Sequence, residues 1–177
     1  MQKPLFVAFA IGALAACVSQ PGPETEVGES VYTASVQKLV YDNRHGGLVG
    51  PAPAGPPCDG WRAVHETYTL TLADHQLAWE VCEGSGDPAT YAPRVGARAL
   101  GDAEWQGLEP TLAALVVDGG NGCIYDAETR ALRVTADDIE VEFVDRDSAA
   151  CDGQDRPRIV LQAMGDLGTA FDALSRK

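Results

Sequence analysis

Five cysteines, three histidines and several crowded carboxylates are the side chains of this 177-residue sequence whose types and spacing invite chemistry. Cys58, Cys82, Cys123 and Cys151 form an even set, which in an exported chain suggests two disulfides with three possible pairings. A zinc site is the competing use of these thiols, but no two of them stand at the C-x2-4-C spacing that most structural zinc sites use, so no metal is expected. His45 falls in a glycine-rich loop, His65 on the polar face of a strand-like run and His75 in a tight turn. No two share the H-x3-H spacing that places ligands on one helical face, and all three read as solvated histidines. Asp145, Asp147, Asp152 and Asp155 crowd around Cys151. A weak calcium site is the chemical alternative there, and a solvated acidic loop is the preferred reading.

Nucleophile and phosphate motifs are equally sparse. Ser35 and Lys38 in "SVQK" follow the S-x-x-K order of penicillin-binding enzymes, in which the motif opens a helix and S-D-N and K-T-G complete the site. Here the match lies in a strand-like run and neither companion motif occurs. "GSG" at Gly84 to Gly86 lacks the strand and helix that flank a nucleophile elbow. "DGGNGC", Asp118 to Cys123, lacks the lysine and following helix of a phosphate loop and the alternating oxygens of a calcium loop. It reads as a helix C-cap and a turn. No catalytic, cofactor-binding or metal-binding residue is assigned, and the chain is expected not to be an enzyme.

The fifth cysteine, Cys17, follows the apolar stretch "LFVAFAIGALAA", which is shorter than the roughly 20 residues a membrane-crossing helix needs. With Lys3 ahead of it, the stretch reads as a cleaved export signal peptide covering residues 1–16. Leu14, Ala15, Ala16 and Cys17 resemble the processing motif of bacterial lipoproteins, a leucine, two small residues and a cysteine. The resemblance implies cleavage before Cys17, diacylglycerol on its sulfur and a fatty acyl chain such as palmitate on the freed amine. Three chains make a lasting anchor, since each buried methylene contributes about 0.8 kcal/mol and one chain alone holds weakly. Val18 is not aspartate, and in such lipoproteins an aspartate at that position favours the inner membrane; the outer membrane, facing the periplasm, is therefore the expected location. Residues 17–30, "CVSQPGPETEVGES", carry prolines, glycines and glutamates without apolar periodicity, the composition of a flexible linker.

Residues 31–177 are one domain's worth of chain. With 13 basic against 26 acidic residues, the sequence lacks the electrostatic footprint of a nucleic-acid binder, and its partners are expected to be the membrane, through the lipid, and an unknown envelope protein or ligand.

Two alternating stretches position the cysteines. In "RALRVTADDIEVEFVDR", a two-residue turn at Asp137 and Asp138 pairs Ala136 with Ile139, Val134 with Val141 and Leu132 with Phe143, all on one apolar face. Cys123 and Cys151 lie equally far from that turn, so the hairpin draws them together. In "YTLTLADHQLAWEVC", a turn at Asp74 and His75 would pair Leu72 with Leu77, Leu70 with Trp79 and Tyr68 with Val81. Cys82 then ends the return strand and Cys58 precedes the outgoing one, so the expected bridges are Cys58 with Cys82 and Cys123 with Cys151.

"SVYTASVQKLVYDN" reads as a further strand, ended by the glycine- and proline-rich "RHGGLVGPAPAGPP". Trp105, Leu108, Leu112 and Leu115 follow helical spacing behind an N-cap at Asp102, with Pro110 expected to kink or restart that helix. A second helix is predicted from Ile159 to Leu174 on the stripe Val160, Met164, Leu167, Phe171 and Leu174. Antiparallel hairpins with two helices covering one face define an α+β fold. The arrangement resembles small exported lipoproteins in which strand, "GG" loop, strand and "W-x-x-C" segments recur, carried here by Gly46 and Gly47, Tyr68 to Leu72 and Trp79 to Cys82. That likeness brings no activity with it. The expected function is a non-catalytic binding or structural module on the envelope. The alternative is a protein inhibitor of an exported hydrolase, presenting "HGGLVGPAPAGPP" or "EGSGDPATYAP" to its cleft.

Overall fold

Alternating apolar residues make strands, and each strand must find a neighbour for its backbone groups. The computed structural model describes residues 26–45, 58, 64–83, 92–118, 129–145 and 160–177. Its elements run β1 (Val36–His45), β2 (Val64–Thr71), β3 (Gln76–Glu83), β4 (Ala92–Ala99), α1 (Asp102–Ala113), β5 (Val117–Asp118), β6 (Thr129–Ala136), β7 (Ile139–Asp145), β8 (Val160–Leu161) and α2 (Met164–Ser175). The strands form one sheet in the order β4-β3-β2-β1-β6-β7-β8-β5. From β4 to β7 every pairing is antiparallel; only the two-residue β8 runs parallel to its neighbour β7. The fold is α+β, with both helices on one face.

The β6–β7 hairpin has the register its alternation predicts, Ala136 opposite Ile139, Val134 opposite Val141 and Leu132 opposite Phe143. Asp137 (φ 49°) and Asp138 (φ 64°) both take the left-handed conformation that a two-residue turn of the right twist requires, and aspartate tolerates it better than most residues. The β2–β3 hairpin differs from expectation by two residues. Leu70 faces Leu77 and Tyr68 faces Trp79, so Leu72 to His75 form a four-residue turn. The cause lies outside the hairpin. Leu72 N–H donates to Gln37 O of β1, and His75 (φ 50°) stacks on Trp105 at 3.8 Å with its carbonyl accepting from Leu100 N–H. Because the shift is by an even number, each side chain keeps its face.

The helices also depart from their predicted bounds. Asp102 is the first helical residue of α1 and Gly101 is its N-cap, where Glu104 accepts from Gly101 N–H at 3.2 Å. The helix runs through Pro110 without restarting. The carbonyl of Gln106, which loses its donor, sits among exposed residues within reach of water. Residues 160 and 161 belong to β8 rather than to α2, because Leu161 is wholly buried against Val117 of β5. Ala163, left-handed at φ 63°, then turns the chain into α2. Upstream, Gly28 N–H donates to Val117 O and Val31 N–H to Leu115 O, so the folded body takes hold of the chain from Gly28 onward.

The core lies between the helices and the sheet. Tyr41, Tyr68 and Phe171 meet at its centre with ring centroids 5.6 to 6.3 Å apart, surrounded by Leu39, Leu70, Leu132, Leu167 and Met164. Gly168 of α2 is packed directly under Tyr41, and a Cβ there would overlap the phenol ring. Glycine costs a helix interior about 1 kcal/mol, and here it lets α2 sit against the sheet.

α2 has no basic residue in its last turn, so its terminal carbonyls need donors from elsewhere. β4 supplies them. Arg98 donates to Leu174 O through Nε (3.1 Å) and Nη2 (2.9 Å), and Arg94 Nη1 donates to Ser175 Oγ (2.8 Å) and Ser175 O (3.3 Å). The same guanidinium of Arg98 holds Glu104 of α1 in a two-pronged pair at 2.8 Å. That hydrogen bond, with Gly101 N–H, lowers the Glu104 carboxyl from the ordinary 4.5 to about 2. A folded value below the unfolded one means a contribution that is full above pH about 4.5 and is lost as pH falls toward about 2. Glu104→Gln is therefore expected to lower the denaturant midpoint above pH 4.5 and to converge on the parent near pH 2, read by unfolding curves across that range.

Candidate functional site

On the sheet face away from the helices, β1 and β2 bring together the one described polar cluster that contains a histidine, a carboxylate and a hydroxyl. Asp42 faces Thr67 directly in the register, and His65 lies two residues along on the same face. His65 Nε2 is 2.6 Å from Asp42 Oδ1 and 2.9 Å from Thr67 Oγ1, while Thr67 Oγ1 donates to Asp42 Oδ1 at 3.5 Å. The Asp42 and His65 side chains are only 11% and 16% exposed, so this is not the solvated histidine that the sequence suggests. The sequence alone does not join them, because Asp42 stands 23 residues from His65 and is brought beside it only by the pairing of β1 with β2. The available signal was the alternation of "HET" and "YDN" at the ends of two strands, which fixes faces but not partners.

The division of the imidazole nitrogens decides what this cluster can do. In a hydrolytic triad the carboxylate holds one ring nitrogen and the nucleophile meets the other. Here the carboxylate and the hydroxyl crowd the same Nε2. With Nε2–H donating to Asp42, the imidazole nitrogen nearest Thr67 is not free to take the hydroxyl's proton, and the only other acceptor the hydroxyl meets among the described residues is Asp42 Oδ1, at 3.5 Å. Nδ1 can accept a proton or a hydrogen bond, but no described hydroxyl or thiol meets it.

The other sequence candidates scatter. His75 is half-buried on Trp105, and His45 ends β1. Ser35 lies in the turn before β1, hydrogen-bonded to Thr33 Oγ1 at 3.0 Å, and Lys38 is in the strand, so S-x-x-K opens no helix. Cys58 and Cys82 form a disulfide with Cα atoms 5.1 Å apart. Cys17, Cys123, Cys151, Asp147, Asp152, Asp155 and the "GSG" segment lie outside the described residues, as does "DGGNGC" beyond Asp118. Among the described residues no group of three or more His, Cys, Asp or Glu is placed to hold a metal, and no described helix is long and apolar enough to cross a membrane.

An apolar cleft of about 190 Å³ opens between the approach to β1 and the helix side of the β6–β7 hairpin. Val31, Val36, Val134, Val141 and Phe143 line it, with Ile139 at its rim 48% exposed. Its size suits one or two aliphatic or aromatic groups rather than a whole substrate, since small-molecule pockets run to roughly 300–1,000 Å³. Fold and site thus define a disulfide-bridged, largely antiparallel sheet backed by two helices, with a cluster of Asp42, His65 and Thr67 on the face away from them. Comparison with family models, with curated proteins and with solved structures returns no match.

Proposed function

We propose that this chain is a lipid-anchored cell-envelope protein, held through Cys17 to the outer membrane, whose folded body is a non-catalytic binding module. The anchor rests on the resemblance of Leu14 to Cys17 to the lipoprotein motif. The binding reading rests on one observation above others, the sharing of His65 Nε2 by Asp42 and Thr67, which sets carboxylate and hydroxyl on one ring nitrogen instead of on opposite ones as a hydrolytic triad requires. The cleft between Val31 and Phe143 then offers a partner a place for an apolar side chain.

Affinity capture from native envelopes with the lipidated protein tests both halves. The expected result is Cys17 carrying three acyl chains by mass, and a stoichiometric partner retained by the parent and by Asp42→Asn but lost by Val141→Trp, which fills the cleft. An unmodified thiol at Cys17 would remove the anchor. Hydrolysis of an ester or peptide panel that disappears in His65→Ala would replace the module with an enzyme. Stoichiometric inhibition of an exported protease or cell-wall lytic enzyme would establish the inhibitor instead.

A further inference from the structure

β4 is the outer strand of the sheet, and its free edge is built to pair with itself. Leu100 N–H donates to His75 O at 3.0 Å, which marks that facing pair as hydrogen-bonded. Along an antiparallel ladder such pairs alternate, so Arg98, Gly96 and Arg94 bond to β3 while Ala99, Ala97, Val95 and Pro93 direct their backbone groups outward. Those four residues are exposed, and no described residue accepts from the N–H of Val95, Ala97 or Ala99. Natural sheets blunt such an edge with lysine, a bulge or an inward charge. β4 has no lysine and no bulge, Pro93 blunts only its first position, and its two inward charges, Arg94 and Arg98, are each tied to carboxylates of the same chain. On the opposite face it shows valine and two alanines, Val95 is 68% exposed, and the strand runs eight residues in unbroken register.

Two details of the edge match each other. Pro93 offers a carbonyl but no N–H, and the Ala99 carbonyl is already taken by Arg98 Nη1 at 3.3 Å. The free donors are thus Val95, Ala97 and Ala99, and the free acceptors are Pro93, Val95 and Ala97. Consider a second copy laid antiparallel about a two-fold axis through Gly96. Val95 N–H then reaches Ala97 O of the other copy, Ala97 N–H reaches Val95 O, and Ala99 N–H reaches Pro93 O. Every free donor meets a free acceptor, and the group that proline lacks falls opposite the carbonyl that needs no donor. Moving the axis to Val95 or Ala97 breaks this match. At the axis Gly96 faces Gly96 in the closely spaced kind of pair, about 4.5 Å between Cα atoms, where the missing Cβ is a convenience. That glycine is required in any case, because a Cβ there would overlap the Trp79 ring. Arg94 and Arg98 meet across the axis on the helix side, each already neutralised, Arg94 by Glu83 and Asp172 and Arg98 by Glu104.

We infer that the protein forms a two-fold dimer by β4-to-β4 pairing centred on Gly96, joining two sheets into one. The inference stands on the edge of β4 and is independent of the lipid anchor and of the partner sought above. Two bodies of formal charge −13 repel, so the dimer is expected to tighten as salt is added and screening shortens.

Sedimentation velocity of the full-length Cys17→Ser protein, from roughly 1 µM to 1 mM and at low and high salt, reads the association directly. Ala97→Pro removes an outward N–H from each copy and leaves the bonds to β3 intact, so it should weaken the dimer about 30-fold, the equivalent of two ordinary hydrogen bonds. Val95→Lys, which leaves the backbone alone, should also weaken it, and unchanged thermal unfolding shows that either variant is folded. Hydrogen exchange should show the Val95, Ala97 and Ala99 amides becoming protected as concentration rises. A monomer throughout the range, a dimer indifferent to Ala97→Pro and Val95→Lys, or one that weakens with salt would overturn the inference. So would amides that become protected only when envelope extract is added, which would mean that another protein's strand takes the edge.

Discussion

Phe171→Ala is expected to lower the unfolding free energy by about 3–5 kcal/mol, the range for deleting a buried aromatic side chain and leaving a cavity. Phe171 is wholly buried and stands between Tyr41 and Tyr68 at 6.3 and 5.6 Å. Its removal cannot be made good by collapse. Tyr41 is held against the backbone of Gly168, and the Tyr68 hydroxyl donates to Asp172 at 3.3 Å, so neither ring is free to move into the space. Burial beside Asp172 also pushes the Tyr68 phenol far above its usual value, so the hydroxyl keeps its proton at any pH at which the protein is handled. A small domain has only about 5–15 kcal/mol in hand, and the loss should show as a large fall in the urea midpoint. Phe171→Leu, which keeps most of the volume, should recover a large part of it; equal effects for the two would mean that the core closes over the gap.

Opening the Cys58–Cys82 bridge is the second large effect. The bridge joins residues 24 apart, and the chain-entropy estimate for a loop of that length is about 3.5 kcal/mol. Cys58→Ala with Cys82→Ala should lower stability by that amount while leaving β2 paired to β3, because Glu66 opposite Val81 and the pairs beyond it do not depend on the sulfurs. The same measurement reaches the other cysteines. If Cys123 and Cys151 are bridged as proposed, reducing the parent protein destabilises it further than the double alanine variant. If reduction and double substitution cost the same, the second bridge is absent.

Stapled through Cys82 of β3 and cross-tied by two arginines of β4, the sheet gives its outer strand a firm backing. Arg94 and Arg98 join β4 to the end of α2, and Arg98 also reaches the start of α1 through Glu104. Such backing matters for any edge that is to receive another strand, because an edge already held straight loses less freedom on pairing.

What the sequence determined by itself was whatever depends on neighbours in the chain. The β6–β7 register was legible because alternation sets the faces and two aspartates set the turn, all within one short stretch. The apolar stripe of α2 was legible for the same reason, as was the bridge between Cys58 and Cys82, which a single hairpin brings together. Only the tertiary structure decided the rest. It placed β1 between β2 and β6, moved the β2–β3 turn through contacts from Gln37 and Trp105, and took residues 160 and 161 into a strand because β5 and β7 lie beside them. It also gave His65 its carboxylate. The physical reason is common to all four: periodicity records which face a residue shows, and a face has no address until distant segments close on one another and choose, by burial and by paired backbone groups, which strands stand side by side.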